Sequence, residues 1–261
     1  MKNELLTLLA RYGQEHLLAF WDRLNAAQRA SLESDIRGID FDQIARLYGQ
    51  PSGDEEIVAL AARATEPPAF RLGSPENRFA PEEARLAGAG ALSAGEIGAI
   101  MVAGGQGTRL GFQHPKGIYP IGPTSGKSLF EILVQKIVAT SRRFCIRIPL
   151  YVMVSPATHE ETVRFFAEND RFGLRADDFH VFCQGTMPAL DSATGKVLLA
   201  EPDRVALSPD GHGGLLAALD KSGGLADLEQ RGVKHLFYFQ VDNPLVEVCS
   251  PEFLGYHLLA H

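Results

Sequence analysis

The sequence predicts an α/β protein, a mostly parallel sheet covered by helices, with a helical segment in front of it. Three observations lead there. Four apolar runs, IGAIMVA, IPLYVMVS, FHVFCQ and KHLFYFQV, read as buried strands. Helical candidates lie between them, and strands that alternate with helices imply a parallel sheet with both faces covered. The 261 residues, 45% hydrophobic and 22% charged, are enough to bury a substantial core.

From the N-terminus, apolar residues recur at helical spacing from Leu5 to Leu24, and Phe41, Ile44, Leu47 and Tyr48 form a second amphipathic set behind Asp40. The stretch EPPAFRLGSPENRFAPEE is rich in Pro and Gly and reads as a linker into a short helix near Glu82 to Leu92. A boundary near residue 95 then separates a helical segment, 1–95, from an α/β domain, 96–261. Within that domain, helices are expected over Ser128 to Ser141 and Thr158 to Asn169. The latter starts with Thr158 and Glu161 at capping-box spacing. The segment LDSATGKVLLAEPDRVALSPDGHGG breaks the alternation, and its turn residues Asp191 to Gly195 predict a hairpin or loop excursion.

Composition excludes several classes. A net charge of −7 without any Lys/Arg-rich run argues against a nucleic-acid partner. No apolar run approaches the roughly 20 residues that span a bilayer, so no membrane partner is expected. Cys145, Cys183 and Cys249 are odd in number and lie in apolar stretches, which suits reduced, buried thiols and a cytoplasmic setting.

The segment most telling of chemistry is AIMVAGGQGTRLGFQHPKGIYPI. A strand runs into Gly104, Gly105 and Gly107, followed by Thr108, Arg109 and Lys116. Glycines let backbone N–H groups approach a phosphate and form an anion-cradling nest, while Arg109 and Lys116 offer a planar fork and a point charge. The dinucleotide fingerprint G-x-G-x-x-G fails, because Leu110 stands where its last glycine belongs. A Walker-type loop at Gly122 to Ser128 is one residue short before Gly126-Lys127-Ser128, and Lys127 and Ser128 are better read as opening a helix. The glycines taken alone are equally consistent with a tight strand-to-helix turn.

In order and spacing, AGGQGTRLGFQHPKG, SPATHEETVRFFAENDRFGL, FCQGTMPALD, SPDGHGGLLAAL and FQVDNPLVEVCSPEFLGYHL resemble the eukaryotic-type UDP-N-acetylglucosamine pyrophosphorylases. The resemblance runs from about Ile97 to the C-terminus, and the leading helices match only in kind. It implies a Rossmann-like, GT-A-like nucleotidyltransferase core that binds UTP at the C-terminal edge of its sheet. On this resemblance Gly104, Gly105, Gly107, Thr108 and Arg109 lie against the nucleotide, and Lys116 lies near the reacting phosphates. Gln184 reads uracil, Gly211, His212 and Gly213 approach the base or sugar, and Asp242 holds Mg²⁺. Spacing alone favours Asp242 and Asn243 as caps of the turn that follows, and the resemblance reverses that order.

The implied reaction is attack by a sugar 1-phosphate on the α-phosphorus of UTP, with N-acetylglucosamine 1-phosphate as the sugar. UDP-glucose or general UDP-sugar chemistry, and UTP binding without catalysis, remain as alternatives. Two departures stand out. His212 occupies a position where the family has asparagine in PDGNGG, which bears on sugar preference. The family also continues for about as many residues again, so the C-terminal part of the core is expected to be missing here. His257 and His261, four apart on an expected helix, lack the glutamate of a zinc-protease motif. The aromatic runs Phe165-Phe166 and Phe237 to Phe239, and Trp21, read as core.

Overall fold

The computed structural model describes residues 1–49, 54–67, 69–71, 74 and 76–260, with backbone only for 54–56. In chain order the helices and strands are α1 (Lys2–Ala10), α2 (Ala26–Arg37), α3 (Phe41–Gly49), α4 (Asp54–Ala62), α5 (Pro81–Ser93), β1 (Ile97–Val102), α6 (Leu129–Phe144), β2 (Leu150–Val154), α7 (Pro156–Glu168) and β3 (Phe179–Cys183). Four short strands follow, β4 (Thr186–Pro188), β5 (Leu199–Glu201), β6 (Arg204–Val205) and β7 (Leu207–Pro209). The last elements are α8 (Leu215–Lys221), α9 (Gly224–Gln230), β8 (His235–Gln240) and α10 (Pro251–Leu259). Contacts group these into two compact units, Met1–Pro68 with Thr186–Asp210, and Ala69–Gly185 with Gly211–His261. A single cut near residue 95 does not describe this grouping: α5 belongs with the sheet, and the 186–210 excursion belongs with the N-terminal helices.

In the first unit, the apolar pattern from Leu5 to Leu24 is not one helix. Gly13 turns the chain at φ +66°, and short 3₁₀ turns at Glu15–Leu18 and Trp21–Arg23 follow α1. Helix α2 was not expected, because only Leu32 and Ile36 of its residues are buried and the apolar period is faint. Its start carries a signal nonetheless, since Asn25 and Gln28 form a reciprocal capping box with bonds of 2.9 and 3.0 Å. Leu5, Leu9, Leu17, Trp21, Leu32, Ile36, Phe41 and Ile44 pack with Val197 and Val205 of the excursion. The buried Gln14 amide joins the two stretches, donating to the Gly195 carbonyl (3.1 Å) and accepting from the Val197 N–H (2.9 Å). The excursion is built from antiparallel pairs β4–β7 and β5–β6.

In the second unit the four expected strands form one parallel sheet, in the order β3-β2-β1-β8. One face, with Ala99, Met101, Leu150, Val152, Phe237 and Phe239, packs on α5, α6 and α10. The other, with Ile100, Val102, Tyr151 and Met153, packs on α8 and α9. Continuous apolar runs follow from this double covering: every residue of β1 and β2 is buried. Helices α5 and α10 meet through glycines. A Cβ at Gly88 would stand 1.9 Å from the Pro251 carbonyl oxygen, and one at Gly255 1.6 Å from that of Ala84.

Helix α7 begins earlier than its sequence suggested. Ser155 is the N-cap and Thr158 its partner at the third helical position, so the Thr158–Glu161 pairing is not the capping box. Ser128 caps α6 by accepting from the Glu131 N–H at 3.1 Å. Among the described residues no helix is long and apolar enough to cross a membrane. All three cysteines are free, but only Cys249 is buried; Cys145 and Cys183 are exposed, against the expectation for all three. Burial pushes the Cys249 thiol up to about 12. His261 lies outside the described residues, so the expected His257–His261 pair does too.

Candidate functional site

Because the strands are parallel, all four C-terminal ends open at the same edge of the sheet, where open α/β sheets bind ligands. Ladder bonds carry each strand one step further: Ala103 N–H donates to the Met153 carbonyl (2.8 Å), Gln184 N–H to Val154 (2.8 Å) and Val241 N–H to Val102 (3.0 Å). The next residues along, Gly104, Ser155, Gln184 and Asp242, therefore emerge together at this edge. Strand β1 is the switch point, with β2 on one side and β8, the last strand in sequence, on the other.

The glycine-rich loop after β1 has a defined shape. Gly107 N–H donates to the His114 carbonyl (2.9 Å) and Lys116 N–H to the Gly105 carbonyl (3.0 Å), closing an excursion whose far end is the 3₁₀ turn Thr108–Leu110. Gly107 admits no side chain, since a Cβ would meet Phe112 at 2.9 Å. A Cβ at Gly104 would stand 3.2 Å from the Ser155 nitrogen and 3.4 Å from both polar atoms of the Gln184 amide. The stem of the loop is packed, while Gly105 and Thr108 are exposed, and none of Gly104, Gly105 and Gly107 adopts the positive φ that a backbone anion nest commonly uses.

Charge is arranged unevenly along this edge. Lys116 Nζ lies 2.8 Å from Asp242 Oδ2, across 126 residues of sequence. Asp242 uses its carboxylate on Lys116 and not as a cap of the following turn. Arg109 is exposed and, among the described residues, has no hydrogen-bond or ion-pair partner. Lys127 stands apart from this group, bound to Gln135 (2.6 Å) and close to Glu131 (3.5 Å) beside the start of α6.

On β8, Tyr238, Gln240 and, just beyond the strand, Asp242 alternate with the buried Phe237 and Phe239 and so share one face. His212, in the 3₁₀ turn Gly211–Gly214, meets this face: its Nδ1 is 3.0 Å from the Tyr238 hydroxyl and 3.5 Å from Gln240 Nε2. Gly211 makes the turn at φ +71°, and a Cβ at Gly213 would meet nothing within 4 Å. All of the sequence-predicted positions, Gly104 to Arg109, Lys116, Gln184, Gly211 to Gly213 and Asp242, thus belong to this end of the second unit. Sequence reasoning missed Ser155, Tyr238 and Gln240; the period-two run Tyr238, Gln240, Asp242 was the available signal for the last two.

A parallel sheet with a glycine loop and opposed charges at its C-terminal edge defines a nucleotidyltransferase-like α/β protein. A sequence model of the UTP–glucose-1-phosphate uridylyltransferase family matches residues 85–260. The chain belongs to that family. It is 37% identical to UDP-N-acetylglucosamine diphosphorylase 2 of Arabidopsis thaliana over 97% of its own length and 53% of that protein's. To UDP-N-acetylglucosamine pyrophosphorylase of Saccharomyces cerevisiae it is 40% identical, over 95% of this chain and 54% of that one. The crystal structure of the uridine diphosphate N-acetylglucosamine pyrophosphorylase from Trypanosoma brucei in complex with inhibitor superposes with a TM-score of 0.79 at 29% identity, covering 99% of this chain and 54% of that one. The chain spans about half the length of the relatives it matches.

Proposed function

We propose that this chain is the UTP-binding portion of a uridylyltransferase that forms UDP-N-acetylglucosamine and pyrophosphate from UTP and N-acetylglucosamine 1-phosphate. The observation that carries the reading is the convergence of the glycine loop, the unpartnered Arg109, the Lys116–Asp242 pair and the Gln184 amide at one sheet edge. The names of the relatives at 37% and 40% identity supply the sugar.

In this reading the N–H groups of Gly104 and Gly105 and the Thr108 hydroxyl receive the phosphates, Gly107 shapes the loop through its bond to the His114 carbonyl, and Arg109 binds phosphate oxygens as a fork. Gln184 both donates to and accepts from the uracil edge. An oxygen of the sugar phosphate attacks the α-phosphorus, the bond from that phosphorus to the bridging oxygen breaks, and pyrophosphate leaves. Arg109 and Lys116 compensate the charge that builds on the departing group.

Asp242 suits Mg²⁺, a hard cation that takes carboxylate oxygen. Among the described residues no cluster of three or more His, Cys, Asp or Glu side chains could hold a metal, so phosphate oxygens and water would complete the shell. When bound, the ion would neutralise phosphate charge, and Lys116, beside Asp242, would supply a further positive charge to the phosphates. The reduced thiols fit a cytoplasmic location.

One observation favours a second sugar: the family model that matches residues 85–260 is named for glucose 1-phosphate, so that sugar phosphate is the comparison substrate. The test is pyrophosphate release from UTP and Mg²⁺ with each sugar phosphate. Faster release with N-acetylglucosamine 1-phosphate supports the proposal, and faster release with glucose 1-phosphate transfers it to the second sugar. UTP binding without release would make the chain a nucleotide-binding module, and the absence of both binding and release would overturn the reading.

A further inference from the structure

We propose that Tyr238 and Gln240 are positioning residues that hold His212 in the tautomer with its proton on Nε2, so that this nitrogen donates a hydrogen bond to an oxygen of the bound sugar nucleotide. The inference rests on the uridylyltransferase reading and names what position 212 selects within it.

The argument starts from the strand. Tyr238 and Gln240 are two residues apart on β8, so their side chains leave the sheet on the same side, and both meet one atom, His212 Nδ1. A neutral imidazole has one donor and one acceptor nitrogen, and the bond made by one fixes the role of the other. The Tyr238 phenol at 3.0 Å can donate or accept, but the amide nitrogen of Gln240 at 3.5 Å can only donate, and with that donor turned to it Nδ1 is the acceptor. Nε2 then carries the proton. Among the described residues Nε2 has no protein partner, and His212 is exposed.

The surroundings make that donor directional. The Tyr238 ring stands edge-on to His212, 6.3 Å between centroids at 65°, which limits ring rotation. Asp242 follows on the same face of β8, so His212 stands beside the strand end at which the proposed site receives the sugar nucleotide. An asparagine at this position could turn its amide to donate or to accept. A histidine locked in this way can only donate, so it favours a ligand that places an acceptor oxygen there, a carbonyl or a hydroxyl oxygen, over one that places a donor or an apolar group.

The experiment is ¹⁵N NMR of the histidine side chains in the protein, free and with UDP-N-acetylglucosamine, for the wild type, Tyr238→Phe and the double variant Tyr238→Phe/Gln240→Met. In the free wild type, His212 is expected to show one tautomer with the proton on Nε2, and the double variant a mixture. Binding should move the Nε2 resonance, and KM for the sugar phosphate should rise about three- to tenfold in Tyr238→Phe, the worth of one hydrogen bond, with kcat nearly unchanged. A proton on Nδ1 in the free wild type would overturn the proposal, whatever the reaction. If UDP-N-acetylglucosamine shifts the Gly104 and Gly105 amides but leaves His212 untouched, the positioning claim is overturned and the nucleotide reading stands. No shift anywhere overturns both.

Discussion

At the N-terminal end of the sheet Asp178 is buried between two arginines, whereas at the C-terminal end Arg109 has no partner among the described residues. Arg147 binds Asp178 through two bonds of 2.7 and 2.6 Å, and Arg231 reaches the same carboxylate at 3.0 Å. Arg231 also binds Asp227 (2.8 Å), which accepts from the Tyr151 hydroxyl and lies 3.3 Å from His180. His180 in turn stacks on Tyr151. Each charge there is answered by another from the same fold, and the network ties the start of β2 and β3 to the end of α9. At the opposite end, among the described residues, Lys116 lies against Asp242 and His114 against Glu161, while Arg109 has no partner. Charge that the fold satisfies holds the fold together, and Arg109 is the charge that the proposed site leaves to a ligand.

The largest effect that separates the two ends is in stability. Asp178→Ala leaves two arginines without their shared buried carboxylate and should cost about 3 kcal/mol, read by urea unfolding, with UTP affinity unchanged. A variant of wild-type stability would show that the network is not structural. Arg109→Ala should do the reverse. Loss of a charge-assisted fork weakens UTP binding by about ten- to a hundredfold, while stability stays within about 0.5 kcal/mol of wild type.

The paired network also predicts a pH window. Burial pushes the Asp227 carboxyl up, but hydrogen bonds from Tyr151 and Arg231 outweigh it and hold the group below its ordinary 3.8. Its contribution to stability is therefore present above that value and fades as pH falls through the folded-state value. Burial, and then the bond to Asp227, raise the Tyr151 phenol above its ordinary 10.0, so its contribution is present below pH 10.0 and is lost as pH rises through the folded value. Unfolding midpoints measured across pH should fall at both extremes, and Tyr151→Phe should remove the alkaline fall. An alkaline fall that persists in this variant would assign it to other groups.

The smallest effect belongs to the exposed pair. Asp242→Asn breaks a contact whose carboxylate is 54% exposed, so it should change stability by less than about 1 kcal/mol. It should nevertheless remove the dependence of UTP binding on Mg²⁺. Titration of UTP with and without the metal checks this, and an undiminished Mg²⁺ effect would place the ion elsewhere.

The same contrast explains what could be read from the sequence. Strands β1 and β2 were legible because both sheet faces are covered over them, leaving uninterrupted apolar runs; β3 and β8 are buried only in part but keep apolar and aromatic runs, and the glycine loop was legible because its residues are contiguous. Gln184, His212 and Asp242 came through the family resemblance; no local pattern marks them. The network at the N-terminal end of the sheet was illegible, since Arg147 and Asp178 lie far in sequence from each other and from the i,i+4 pair Asp227 and Arg231. Helix α2 was missed because it buries so little that its apolar period fades. The grouping of residues 186–210 with the N-terminal helices was missed too, for it depends on the Gln14 amide meeting backbone more than 180 residues away.

The most direct test of the central claim, that the C-terminal sheet edge is a UTP site, is calorimetric titration of Mg²⁺-UTP into the wild type and Arg109→Ala. The account predicts one site per chain in the wild type and affinity weakened by at least about tenfold in the variant. Equal affinity in the two proteins, with both folded, would contradict it.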